Sequence, residues 1–473
     1  MKGSLACLLL LILLPVGRAE AHFTNIDDAL VAARSRRVPL FIDFSAVWCH
    51  SCHAMDEQVL NGPEWDIRVT RMVLVRSDAD SLNGVAWMKK LAVPSLPTYV
   101  VLNPDGSERG RLVGEIKRAE FYAALDRLLS GEGALDKLEM RAANGSVDAV
   151  VEVLDAYDAR EEGAAGMRWY ERLPISTRKA VQNDAKGALH LHIAGMYADQ
   201  AALLRARRAT GTKSDKVPSA SVEQARLAES CRLHATQALA GALTTDERLE
   251  VTRSLLSWCT MDLAYEQKKA LAQAQLPVIR AIYDKEVPNG GSGLLRDATH
   301  LLASLQRSVE DKPVATVTQQ HRDGDPAVTA IYRRAVLIGR EALDDGHGGL
   351  DVKRDRAMDL VLAEMMHYAG LETDKLALHK AMVEAYPDEF FCQYDYGKDL
   401  LDSGKAAEAL PYLERASAHA DDSFKLRTVF TRAQALVALN RRPEAEKLFQ
   451  DALQQEEKMF PGEAKSARQY MKL

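Results

Sequence analysis

The chain has 473 residues, with 61 Lys and Arg against 67 Asp and Glu and a net charge of −6. A mildly acidic chain with no long basic block excludes a nucleic-acid partner, and this length exceeds what one core holds, so two or three domains are expected. Aromatic residues are 6% while Ala and Leu dominate, which favours helices packed on helices through much of the length.

Residues 1–21 begin Met1-Lys2, run on as the apolar LACLLLLILLPV and end in GRAEA. A short positive start, an apolar core of about a dozen residues and small residues at Ala19 and Ala21 describe a secretory signal peptide, cleaved before His22. The core falls short of the roughly 20 residues that span a bilayer. Cys7 stands at its front, which argues against lipidation there. No later stretch is apolar enough to cross a membrane. The expected location is a bacterial periplasm, where disulfides persist. Five cysteines follow the signal, Cys49, Cys52, Cys231, Cys259 and Cys392. A sparse, odd set suggests one working pair plus a few others rather than a disulfide scaffold.

VPLFIDFSAVW (38–48) is the β-branched and aromatic run of a buried parallel strand. It delivers Cys49-His50-Ser51-Cys52-His53, which admits two chemistries. A Cys-x-x-Cys between strand and helix is a redox pair, and the same pair followed by His is an attachment signature for c-type haem. The flanks decide. CHAMDEQVL (52–60) has helical spacing, MVLVRSDAD (72–80) reads as a strand and VAWMKKLAV (85–93) as a helix. PTYVVLN (97–103), the turn PDG and RGRLVG (109–114) form two more strands, and KRAEFYAALDRLL (117–129) an amphipathic helix. A c-type cytochrome would be a small, mostly helical wrapper with no need of a strand ending at Trp48.

The order β-α-β-α-β-β-α, with the cysteines after the first strand, resembles the thioredoxin family over residues 23–130. Asp43, six residues before Cys49, Leu96-Pro97-Thr98 and Gly114 each match a feature of that family. The WCxxCH helix and PSLPTYVVLNPDG are most similar to the C-terminal domain of the transmembrane thiol:disulfide interchange reductases. The resemblance implies an α/β thioredoxin fold for residues 22–132, with Cys49 as attacking thiolate, Cys52 as resolving thiol and the buried Asp43 as proton relay. It also implies a cis Pro97 presenting the Leu96 backbone to an extended substrate, and Trp48 shaping the docking surface. Cys49 at a helix N-terminus has its thiolate stabilised by free N–H groups and the helix dipole. His50, between the cysteines, can add positive charge and lower the Cys49 pKa, a redox-tuning role; His53 reads as a solvated helix position. Asp43 and the reductase-like surroundings favour reduction or isomerisation over oxidation.

From Leu135 onward apolar residues recur at three and four, so the remainder is all-α. Residues 135–350 read as degenerate helical hairpins, interrupted by the polar 207–221 (RRATGTKSDKVPSAS) and by the turn 287–293 (VPNGGSG). Within 351–473, Gly370 and Gly404 lie 34 apart between helical patterns. YGKDLLDSGKAAEALPYLERA (396–416) and FTRAQALVALNRRPEAEKLFQDA (430–452) resemble tetratricopeptide (TPR) repeats, and Arg356–Glu389 is a weaker unit before them. Gln393 and Val429 stand where that repeat has its first aromatic, so ligand contacts do not carry over. The resemblance implies a solenoid that binds a protein partner.

The expected function is thiol–disulfide exchange on protein disulfides, with electrons drawn from a membrane thiol:disulfide reductase; a scaffold using the fold for recognition only is the alternative. No cofactor beyond the Cys49–Cys52 disulfide is expected, and no metal site, since His190 and His192 fall on opposite helix faces. Cys231 and Cys259 either pair across a hairpin or serve as buried apolar residues.

Overall fold

The computed structural model describes residues 23–209, 222–309, 326–420 and 422–456. The expected signal peptide and positions 210–221 of the polar loop lie outside them. The rest of that loop, 207–209, instead continues a helix, Ala185–Ala209.

The N-terminal part begins with α1 (Ile26–Arg36), capped by Asn25, whose side chain accepts from the N–H groups of Asp27 and Asp28. β1 (Leu40–Ser45) follows, then α2 (His50–Gln58) and α3 (Pro63–Val69), with proline in the first turn of α3, where its missing N–H costs nothing. β2 (Val73–Asp78), α4 (Leu82–Lys90), β3 (Thr98–Leu102), β4 (Glu108–Val113) and α5 (Arg118–Ser130) complete it. The sheet order is β2-β1-β3-β4, with β1 parallel to β2 and both β1–β3 and β3–β4 antiparallel.

Side-chain alternation along the strands splits the core in two. Phe41, Tyr99 and Val101 face Met55 of α2, Trp65 of α3 and Phe121 and Leu125 of α5. Leu40, Ile42, Phe44 and Val100 face Ile26 and Leu30 of α1 and Trp87 of α4. Asp43 shares the parity of Phe41, so it points to the α2 side. This is the α/β arrangement expected from the strand and helix spacing; α1 and α3 are additions to it.

The rest of the described chain is helical. One apolar core runs from Leu249 to Ala445, and smaller cores lie around Val150 and Trp169 and around Met196 and Val251. The repeats are paired helices: Arg356–Tyr368 with Glu372–Ala385, and Phe390–Asp402 with Ala406–His419. Asp422–Ala438 pairs with Arg442–Glu456 in the same way. Gly370, Gly404 and then Asn440 take positive φ at the three hairpin turns, the conformation that ends a helix most cheaply in glycine or asparagine. Gly397 lets the second hairpin close, because a Cβ there would lie 2.9 Å from the Leu413 side chain.

Cys231, on the helix Val222–Leu239, and Cys259, just past the helix Thr245–Ser257, form a disulfide. Both are fully buried beside Met196, Ala235 and Val251. Of the two roles open to them, pairing is the one the fold adopts. The bond closes a loop with sequence separation 28, for which the chain-entropy cost in the unfolded state is about 3.5 kcal/mol. The double variant Cys231→Ala/Cys259→Ala should therefore lower the free energy of unfolding by about that amount, read as a lower urea midpoint with the secondary structure retained.

Candidate active site

Cys49 is the N-cap of α2, with extended backbone, and its Sγ accepts the Cys52 backbone N–H at 3.2 Å. Cys49 and Cys52 are joined as a disulfide, Sγ–Sγ 2.06 Å. They pack with Ala46 and Ala79, and Trp48, Met88 and Leu96 close over them. The Trp48 indole N–H donates to Asp80 Oδ2 at 2.5 Å, which fixes the ring beside the pair. The Leu96–Pro97 peptide is cis, and the Pro97 carbonyl accepts the Gly114 N–H at 2.8 Å, tying the loop to the end of β4.

Asp43 is 2% exposed. Its nearest cation is Arg76, Nε to Oδ2 3.6 Å, but that guanidinium is shared with Asp56 of α2 at 2.6 Å. Burial first, then the negative charge of Asp56, push Asp43 up to about 7, against the opposing pull of Arg76. The acid predicted as a proton relay is therefore buried, faces α2 and changes charge near neutral pH.

Four sequence-predicted residues sit in surroundings that the sequence does not foretell, because helices of the distant C-terminal part cover the cysteine face. The helix Arg356–Tyr368 packs along α2, and the helix Gly291–Val309 touches its start. The Arg356 N–H donates to Glu57 Oε1 of α2 at 3.2 Å, across 299 positions of sequence. Arg296 Nη1 donates to Glu115 Oε2 at 3.1 Å, across 181 positions. Trp48 meets Phe424, ring centroids 6.3 Å apart. His50 Nε2 lies 3.7 Å from Glu364 Oε2, and its ring centroid 6.1 Å from that of His300. Cys49 and Cys52 are each only 4% exposed.

Burial lowers the His50 pKa more than the hydrogen bond and charge of Glu364 raise it, and Arg296 and His300 add to the lowering. Burial thus works against the positive charge that His50 could bring to Cys49. His53 is half-buried and donates to the Val47 carbonyl at 2.9 Å, bracing the turn before Cys49. The family resemblance implies a solvated position for it, and the difference arises because its ring folds back on the strand end.

A cavity of about 600 Å³ lies between the two parts. On one side are Trp48, Cys49, His50, Leu96 and Gly114; on the other are Tyr197, Glu250, Arg253, Arg296 and His300. Its far wall is invisible in the sequence, since none of those residues belongs to a motif. Cys392, by contrast, stays out of this site. It is buried among Arg356 and Glu389, and burial pushes its thiol up to about 12, so it stays protonated.

This geometry is that of a thioredoxin-type dithiol site, and the comparisons with known proteins agree. A thioredoxin-like domain model matches residues 26–129, and a tetratricopeptide repeat model matches residues 400–468. The thiol:disulfide interchange protein DsbD of Cronobacter sakazakii is 32% identical over 127 residues, covering 24% of this chain and 22% of the relative. DsbD 2 of Pseudomonas aeruginosa is 31% identical over 103 residues, covering 21% and 18%. The chain thus spans about a fifth of the length of these relatives. A solved thioredoxin from Thermus thermophilus is 27% identical, with TM-score 0.22, covering 23% of this chain and 87% of that one. The protein therefore carries a thioredoxin-like domain with an intact Cys-x-x-Cys pair, followed by a helical region that ends in tetratricopeptide repeats.

Because the folded Asp43 pKa lies above its ordinary value of 3.8, the native state keeps a proton that the unfolded chain has released. Stability should then fall as pH rises from about 4 to about 7. Asp43→Asn should remove that slope and exceed wild-type stability above pH 7 by an amount on the order of a few kcal/mol. Urea unfolding of both proteins at pH 5 and pH 8 checks the sign.

Proposed function

We propose that the protein is a thiol–disulfide oxidoreductase that reduces or isomerises protein disulfides through Cys49 and Cys52. The observation that carries this reading is the Cys49–Cys52 disulfide at the N-terminus of α2, facing a cavity whose near wall includes the Leu96 loop. In the reduced enzyme the Cys49 thiolate attacks one sulfur of a client disulfide. A mixed disulfide forms and the other client sulfur leaves as a thiolate. Cys52 then loses its proton to Asp43 and attacks Cys49, which frees the second client thiol and leaves the Cys49–Cys52 disulfide. Two electrons from an external dithiol restore the pair. The partial match to thiol:disulfide interchange proteins supports a donor of that membrane-bound class.

The periplasm is the proposed compartment. The N-terminal signal-like segment and the second, buried disulfide Cys231–Cys259 both support it. Among the described residues no helix is long and apolar enough to cross a membrane. The helical region supplies the far wall of the cleft, and its tetratricopeptide repeats support protein binding as a second role.

With dithiothreitol as donor, the purified protein should reduce insulin disulfides, Cys49→Ser should abolish the activity, and Cys52→Ser should accumulate mixed disulfides visible on non-reducing gels. Equal rates for wild type and Cys49→Ser would remove the enzymatic reading. Release of the mixed disulfide should accelerate as pH rises through about 7, where Asp43 ionises. Asp43→Asn should slow that step roughly 100-fold and flatten its pH dependence, measured by quenched-flow trapping of the intermediate.

A further inference from the structure

His50, His300 and Glu364 come from three segments that meet only where the helical region closes on α2. Glu364 Oε2 lies 3.7 Å from His50 Nε2 and 3.6 Å from His300 Nε2, and the three donor atoms all fall within 4.8 Å of one another. Two imidazole nitrogens and one carboxylate oxygen are a donor set suited to a borderline divalent ion such as Zn²⁺. Bonds of about 2.0–2.2 Å place neighbouring ligands of a tetrahedral ion roughly 3.4 Å apart. The two His–Glu edges are already within a few tenths of an ångström of that spacing, and rotation of the half-exposed His300 closes the third.

The surroundings also fit an ion with an open position. His50 and His300 line the 600 Å³ cleft, and His50 and Glu364 line a second cavity of about 260 Å³ beside it. A fourth ligand, water or a sulfur entering the cleft, can therefore reach the cluster. Arg296, which lines the cleft beside His50 and His300, is engaged by Glu115 at 3.1 Å and by Asp297 at 2.7 Å.

We propose that His50, His300 and Glu364 bind one Zn²⁺-type transition-metal ion at the seam between α2 and the helical region, clamping that region over the Cys49–Cys52 pair. The site requires the closed seam and not the redox chemistry, so it stands apart from the exchange reaction. Since His50 separates the two cysteines in sequence, an ion here fixes the start of α2 to two helices of the covering layer at once.

The test uses the full-length protein in its oxidised form, stripped of metal with a chelator, so that no thiolate of the pair competes for the ion. Titration with Zn²⁺ against a chromogenic chelator should show one ion bound per chain. His300→Ala and Glu364→Gln should each weaken binding by more than the roughly 10–100-fold that loss of an outer-shell partner costs. Zn²⁺ should raise the melting temperature of the wild type and leave that of both variants unchanged. His300 is 36% exposed, so its alanine variant decides the outcome even if Glu364→Gln folds poorly. An oxidised wild type that takes up no Zn²⁺, or a His300→Ala protein that binds it as tightly, overturns the proposal and leaves a hydrogen-bonded His–Glu–His chain in its place.

Discussion

The docking of the helix Arg356–Tyr368 on α2 sets the environment of everything around the cysteine pair. Glu57, in the last turn of α2, places its carboxylate at the N-terminus of that helix and accepts the first free N–H, that of Arg356. A negative charge at a helix N-terminus is favourable by about 0.3–1 kcal/mol at an exposed site, so the contact orients more than it stabilises. Once the helix lies in this direction, Glu364, two turns along, falls opposite His50 at the other end of α2. The start of the docked helix is itself held rigid from behind. The Arg356 side chain is 4% exposed and donates to Asp359 at 2.7 Å and to Glu389 at 2.6 Å, which ties one repeat hairpin to the next.

Polar and charged contacts cross this seam at several points: Glu57 to Arg356, Glu115 to Arg296, His50 to Glu364. Trp48–Phe424 and His50–His300 add ring contacts. Ion pairs taken out of water recover little net free energy, because desolvation cancels most of the attraction. They do specify one alignment, since a shift along α2 would strand a buried charge. These polar contacts therefore fix register more than they stabilise. Their polar character resembles interfaces within chains that open and close, whereas the cores on either side are apolar and fixed.

The legible part of this structure is the part written in short-range pattern. β1 can be read because LFIDFS is apolar up to its last residue except for one carboxylate, and that exception marks Asp43. The hairpin turns of the repeats can be read from Gly370 and Gly404, since a left-handed turn after a helix favours glycine. His190 and His192 do diverge, the first toward Asp155 and Glu247, the second toward His234, as a spacing of two on a helix requires. Asn440 makes the same turn without being a glycine, so the third hairpin carries no comparable signal. The covering of the cysteines leaves no local trace. Arg296, His300, Glu364 and Phe424 lie on ordinary amphipathic helices, and their meaning comes only from a fold that brings residues hundreds of positions apart together. Spacing alone does not decide the Cys231–Cys259 pairing either, because two buried cysteines on neighbouring helices have the same pattern whether bonded or not.

The enclosure constrains what can react. Attack by Cys49 requires a client sulfur to approach in line with the client's disulfide, within bonding reach of a sulfur that is 4% exposed. A cavity of about 600 Å³ is of the size that holds a small molecule or a few residues of extended chain, and no folded domain enters it. Two kinds of client satisfy this geometry. One presents its disulfide on a protruding, extended segment that threads between the Leu96 loop and the Arg253–Arg296 wall. The other is bulky and meets the pair only when the covering helices swing away, breaking the Glu115–Arg296 and His50–Glu364 contacts. The polar seam keeps the barrier to the second route low, because water replaces each broken ion pair. On the proposed function, discrimination between clients would reside in the balance between an open and a closed seam.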